Sequence, residues 1–201
     1  AAIKNGEYIV GLSMYVDSGY KGQVHLFNKD SSTPLWIFNM TSGNYGMTSS
    51  MSLDGEYFVV GSSTDYKVYL FDKDSSTPLW NYTTSAGVYQ VFISADGEYI
   101  TVLSDKKLYL FDRDSNVPIW IYDTGVVYSY NNHISMSSDG SYIVLGTRDN
   151  FAKLFKNPLA NRPSVNTFSP SGSIISEPKL MWFAGSDDHS NLTFDVYLDT
   201  N

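Results

Sequence analysis

Short apolar and aromatic runs alternate along the chain with polar turns rich in Ser, Asp, Thr and Gly, and the alternation itself recurs. One phrase joins a turn to a run four times: Asn5-Gly6-Glu7-Tyr8-Ile9-Val10, Asp54-Gly55-Glu56-Tyr57-Phe58-Val59, Asp96-Gly97-Glu98-Tyr99-Ile100-Thr101 and Asp139-Gly140-Ser141-Tyr142-Ile143-Val144. The glycines lie 49, 42 and 43 residues apart. A second phrase follows each time: His25-Leu26-Phe27, Tyr69-Leu70-Phe71, Tyr109-Leu110-Phe111 and Lys153-Leu154-Phe155. Three of the four continue through a polar turn into Pro34-Leu35-Trp36, Pro78-Leu79-Trp80 and Pro118-Ile119-Trp120. Asp-Gly or Asn-Gly between β-branched and aromatic runs predicts a type I′ hairpin turn, which needs positive φ at both central residues. The polar stretches 62–67 and 72–78 supply two further turns, with Pro78 suited to a strand start. Each repeat therefore reads as four short antiparallel strands, a to d, and nothing in the repeat region has helical periodicity.

For the third repeat the pattern predicts strands near 89–95, 98–103, 108–112 and 119–123. Four strands at a period of about 42 residues match one blade of a β-propeller, whose sheets pack both faces against their neighbours around a central channel. Apolar runs that lack strict alternation fit sheets buried on both faces. The repeated Trp and the Tyr-Leu-Phe triplet are then expected to fill the space between blades. The first repeat keeps only the tail of strand a, the next two are complete, and the fourth lacks the Pro-x-Trp strand d. The expected fold class is all-β: a partial β-propeller of about 3.5 four-stranded antiparallel blades over residues 1–158, plus a truncated β-sandwich-like C-terminal segment.

The "DGEY…YLFD…PLW" phrases resemble pyrroloquinoline-quinone-type and tryptophan-aspartate-type propeller repeats, above all the quinoprotein-like repeats of archaeal cell-surface proteins. The resemblance covers residues 1 to about 158. It implies a secreted or surface setting and a closing blade at the fourth repeat, with its outer strand supplied by the N-terminus of the same propeller and further blades preceding Ala1. The alternatives are that four blades close on themselves or that two chains pair, because open blade edges are prone to self-association.

Beyond Lys156 the period stops, and residues 159–163, flanked by Pro158 and ending in Pro163, read as a linker. Strand-like runs at 165–169, 179–184 and 192–198 follow, and residues 164–201 resemble the start of an immunoglobulin-like or fibronectin type III-like module. A complete sandwich needs roughly 100 residues.

Composition narrows the function. With 21 acidic and 13 basic residues the net charge is −8, which opposes binding to nucleic acid or anionic membranes. No apolar run is long enough for insertion into a bilayer, and the absence of cysteine removes disulfides and thiolate metal sites. No Gly-x-Ser-x-Gly elbow occurs, and His25, His133 and His189 have no ligand partner at metal spacing. Asp54, Asp96 and Asp139 precede turn glycines and read as turn residues, and Asp72, Asp74, Asp112 and Asp114 as solvated loop. The candidate metal ligands are Asp187, Asp188 and Asp195, for Ca²⁺; no other cofactor and no catalytic residue is expected. Tyr45, Tyr89, Tyr128, Tyr130 and His133 fall in or before strand a, near one face of the disc or its channel mouth, and are the candidate binding surface for a sugar or peptide. Sequons at Asn39, Asn81 and Asn191 fit an extracellular setting. The expected function is a noncatalytic scaffold binding a protein or glycan partner. The alternatives are a quinoprotein dehydrogenase-like or glycan-active enzyme whose catalytic residues lie elsewhere, and an architectural spacer.

Overall fold

The computed structural model describes residues 2–3, 6–16, 20–40, 46–124, 133–146 and 152–160, with 2–3, 15–16, 20 and 133 described by backbone alone. The chain divides into two compact units, Ala1–Ala160 and Asn161–Asn201. The second unit, with the predicted strands after residue 164 and with Asp187, Asp188 and Asp195, lies outside the described residues.

The first unit is a series of antiparallel sheets. Blade one holds β1 (Ala2–Ile3), β2 (Tyr8–Val16), β3 (Tyr20–Asn28) and β4 (Trp36–Asn39). Blade two holds β5 (Met47–Met51), β6 (Tyr57–Ser62), β7 (Lys67–Asp72) and β8 (Trp80–Thr83). Blade three holds β9 (Val88–Ile93), β10 (Tyr99–Ser104), β11 (Lys107–Asp112) and β12 (Trp120–Asp123). Blade four holds β13 (His133–Met136), β14 (Tyr142–Gly146) and β15 (Ala152–Lys156). Each sheet is a meander in chain order, and no helix occurs among the described residues. These are partial propeller blades, with the short β1 as the residual first strand and, among the described residues, three strands in blade four.

In blades two to four the turn between the first two strands departs from the two-residue type I′ hairpin that Asp-Gly predicts. Gly55, Gly97 and Gly140 have positive φ there, between 70 and 77°, as Gly6 does in blade one, whereas Asp54, Asp96 and Asp139 do not. A serine two positions before the Asp widens the loop. The hydroxyls of Ser52, Ser94 and Ser137 accept the N–H of Tyr57, Tyr99 and Tyr142 at 2.9–3.0 Å and donate to Asp54, Asp96 and Asp139. Each Asp then accepts the N–H two residues on, at 3.0 Å. The working motif is thus Ser-x-Asp-Gly, in which the carboxylate caps the loop and glycine alone supplies the left-handed residue.

In blade four this cap has a consequence for acid stability. The hydroxyls of Ser137 and Ser141 and the Ser141 N–H hold the Asp139 carboxyl down at about 2. Because the folded value lies below the ordinary 3.8, the carboxylate stabilises the fold above about pH 4 and loses that contribution as pH falls toward 2. The stability difference between the wild type and Asp139→Asn is expected to shrink between about pH 4 and pH 2. Thermal melts of both proteins across that range check it; a difference that stays constant rejects the role.

The core lies between blades, because every central strand sends alternate residues to opposite neighbours. Val10, Val24 and Leu26 of blade one meet Phe58, Val60, Tyr69 and Phe71 of blade two. Val59, Val68 and Leu70, on the other face of blade two, meet Ile100, Val102, Tyr109 and Phe111. Leu108 and Leu110 meet Ile143 and Leu145 of blade four. Both faces of the middle sheets are buried, so their sequences read as continuous apolar runs.

Candidate functional site

Most of the residues that make the repeat recognisable are used up in joining blades. Trp36 of β4 stacks on Phe58, with centroids 5.6 Å apart, and donates its indole N–H to the Lys73 carbonyl of blade two at 2.8 Å. Trp80 of β8 lies 5.4 Å from Phe111 and donates to the Arg113 carbonyl of blade three at 2.6 Å. The residue whose carbonyl receives the indole also reaches back with its side chain. The Arg113 guanidinium sits 4.6 Å from the Tyr57 ring and pairs with Glu98 at 3.0 Å, and Lys73 lies 6.0 Å from the Tyr8 ring and pairs with Glu56 and Asp74. The Asp74 hydrogen bond, supported by Glu56, raises the Lys73 ammonium above its ordinary value against the cost of desolvation. Loop residues form a parallel belt: Leu53 N–H donates to Ala95 O at 2.8 Å, and Ala95 N–H to Ser138 O at 2.7 Å.

The loop carboxylates are occupied in the same way. Asp72 and Asp112 accept the N–H of Asp74 and Asp114 at 2.8 and 2.9 Å, as Asn28 does that of Asp30 at 3.0 Å. Asp74 and Asp114 pair with Lys73 and Arg113. No group of three or more His, Asp or Glu able to hold a metal ion exists among the described residues. His25, in the place of Tyr69 and Tyr109, is half-buried, hydrogen-bonded through Nε2 to the Ser13 hydroxyl at 2.8 Å and stacked on Phe27.

Of the residues proposed for the channel mouth, Tyr45, Tyr128 and Tyr130 lie outside the described residues. His133 opens β13 opposite Gly146, with its backbone alone described. Tyr89, in β9, is half-buried and packs against the apolar cluster between blades three and four. A neighbour that sequence reasoning did not single out does more there: the Gln90 side chain accepts the Ile134 N–H at 2.7 Å, tying β9 to β13.

The largest departure from the repeat is at β15. In blades one to three the chain turns back after the third strand, so that Leu35, Leu79 and Ile119 donate to Leu26 O, Leu70 O and Leu110 O at 2.7–2.8 Å. In blade four it leaves instead. Asn157 donates to Ser141 O at 2.8 Å, and Tyr99 of blade three donates its hydroxyl to Leu159 O at 2.9 Å. Alongside β15 there remains a groove of about 490 Å³ lined by Trp120, Tyr122, Leu154, Phe155, Lys156 and Pro158. Trp120 and Tyr122 pack on Phe155 with centroids 5.7 and 4.8 Å apart. On the opposite face of the blade Val144 and Leu154 are 43% and 67% exposed, although their counterparts Val59 and Leu70 are fully buried.

Meander blades of this kind, tied by a Trp-to-carbonyl link and a cation over the preceding blade's Tyr, define a propeller repeat protein of the pyrroloquinoline-quinone-like class. Residues 20–156 match the PQQ_2 family model, outer membrane protein assembly factor BamB. The chain belongs to that family. No curated protein matches the chain.

Proposed function

We propose that the chain is a noncatalytic propeller scaffold that binds a protein or glycan partner within a larger secreted or surface protein. The observation that carries this reading is the division of labour among its polar residues. The Ser-x-Asp-Gly loops, the Trp indoles, Lys73 and Arg113 all serve turns or blade junctions, while the described residues leave an aromatic groove beside β15. Such a surface fits recognition by shape and stacking more than bond-making chemistry. The family's description as an assembly factor for outer membrane proteins supports a protein partner. It is also compatible with a place at the cell surface, to which the resemblance to archaeal surface repeats and the immunoglobulin-like pattern of residues 164–201 add.

Two measurements on the 201-residue chain test the reading. A glycan array with cross-linking to co-expressed envelope proteins is expected to yield a saturable partner, and titration with pyrroloquinoline quinone is expected to leave tryptophan fluorescence unchanged. Saturable quenching by the quinone at micromolar concentration rejects the noncatalytic scaffold in favour of a quinoprotein.

A further inference from the structure

We propose that the outer rim of the blades is N-glycosylated, at Asn39 of β4 and Asn81 of β8, and that the glycans keep uncharged blade edges from pairing with one another. The proposal rests on the surface setting of the scaffold reading and adds a covalent modification to it. β4, β8 and β12 are each the last strand of their sheet. Among the described residues one edge of each therefore carries no strand partner, and such an edge is a template for pairing with another chain. Aligned on Trp36, Trp80 and Trp120, the three strands read Trp-Ile-Phe-Asn, Trp-Asn-Tyr-Thr and Trp-Ile-Tyr-Asp. Of the three, β12 alone carries a charge, Asp123, the ordinary protection of an exposed edge. The two strands without a charge are the two that carry a sequon, Asn39-Met40-Thr41 and Asn81-Tyr82-Thr83, and β12 carries none. The third sequon, at Asn191, lies outside the described residues.

Both asparagines present what the modification requires. Asn39 and Asn81 are exposed, and so is Thr83, which lies two residues on and therefore on the same face of β8 as Asn81. Leu79, two residues before, is 52% exposed and gives the apolar side of a first sugar a surface to lie on. The Asn116 side chain reaches the Asn81 backbone carbonyl, at 3.5 Å, and not its amide. Gln23 Nε2 donates to Asn39 Oδ1 at 2.8 Å, which engages the amide oxygen and leaves Nδ2 as the atom that takes the sugar. Ile37 and Ile121, the counterparts of Asn81 in the neighbouring blades, are 43% and 48% exposed, so a glycan at this rim position displaces no packed neighbour. The donor class is a lipid-pyrophosphate-linked oligosaccharide. Asn Nδ2 attacks its anomeric carbon, and a C–N bond forms as the C–O bond to pyrophosphate breaks. The lipid pyrophosphate leaves with the electron pair, and the amide gives one proton to the transferase. The hydrated chain then blocks a second strand by bulk, as Asp123 does by charge.

Glycopeptide mass spectrometry of the protein isolated from its own cells tests the modification. Oligosaccharide is expected on the peptides that hold Asn39 and Asn81, and unmodified asparagine at either position overturns the proposal. Protease shaving of intact cells, run alongside, reports the surface setting separately: protein released from the surface without glycan sinks the proposal and leaves that reading standing. The protective role is tested by analytical ultracentrifugation of the 201-residue chain, made without glycan in a bacterial cytosol and with glycan by secretion from a eukaryotic host. The glycan-free chain is expected to self-associate at a concentration about threefold or more below that of the glycosylated chain. The glycan-free double variant Asn39→Asp, Asn81→Asp copies the charge of Asp123 and is expected to associate less readily than the glycan-free wild type, a change opposite to the one misfolding produces. A double variant or a glycosylated chain that associates as readily as the glycan-free wild type overturns the proposal. Quinone binding, by contrast, sinks the scaffold reading without bearing on glycan occupancy.

Discussion

Replacing Phe71 by alanine is expected to lower the unfolding free energy by about 3–5 kcal/mol. The ring is fully buried and sits where two blades and three strands converge. It stacks on Phe58 with centroids 5.1 Å apart, meets Phe38 edge-on at 5.2 Å, and lies 5.7 Å from Trp36. Removing it deletes buried apolar area and leaves a cavity whose walls are held by β-sheet on both sides and cannot collapse, which places the cost toward the upper end of the range. The matching change at the end of the series, Phe155→Ala, is expected to cost about half as much or less, because Phe155 is only half-buried and faces the open groove. Urea denaturation of the two variants measures the contrast; equal losses would show that blade four is as well packed as blade two.

Gly140→Ala is expected to cost about 2–5 kcal/mol, the sum of two separable effects. The residue has φ of +70°, where an L side chain costs about 1–2 kcal/mol. A Cβ there would also stand 2.5 Å from Cδ2 of Tyr99 and 3.1 Å from its Cβ and Cγ. Tyr99 cannot easily give way, since its hydroxyl is tied to Leu159 O. Gly6 provides the control, having nearly the same φ, +76°, and nothing within 4 Å of an added Cβ. Gly6→Ala should therefore show the backbone cost alone. Equal destabilisation of the two variants would mean that the Tyr99 contact is relieved without strain.

Much of the fold was legible in the sequence because the blade is a local object. Its turns are a few residues long, and Asp-Gly and Pro-x-Trp mark where strands begin, so the strands predicted near 89–95, 98–103, 108–112 and 119–123 appear at Val88–Ile93, Tyr99–Ser104, Lys107–Asp112 and Trp120–Asp123. The turn type was misread because Asp-Gly alone favours a tight hairpin. The serine that opens the loop acts through its hydroxyl on a residue five positions away, outside the dipeptide signal. The candidate site was less legible. Stacking aromatics were expected before or within strand a, yet Tyr89 packs toward the core, and the open aromatic surface lies at the outer edge beside β15. The missing Pro-x-Trp phrase was the visible sign of that edge.

Leu70, Leu110 and Leu154 show where the division falls. The sequence by itself determined that each sits mid-strand in the third strand of its blade, because spacing from the Asp-Gly turn fixes strand position and local turn chemistry fixes strand order. Only the tertiary structure decided that Leu70 and Leu110 are fully buried while Leu154 is 67% exposed. The reason is physical: a β-strand offers a side chain to a face, but burial requires a neighbour to cover that face, and the covering blade lies about a whole repeat away along the chain.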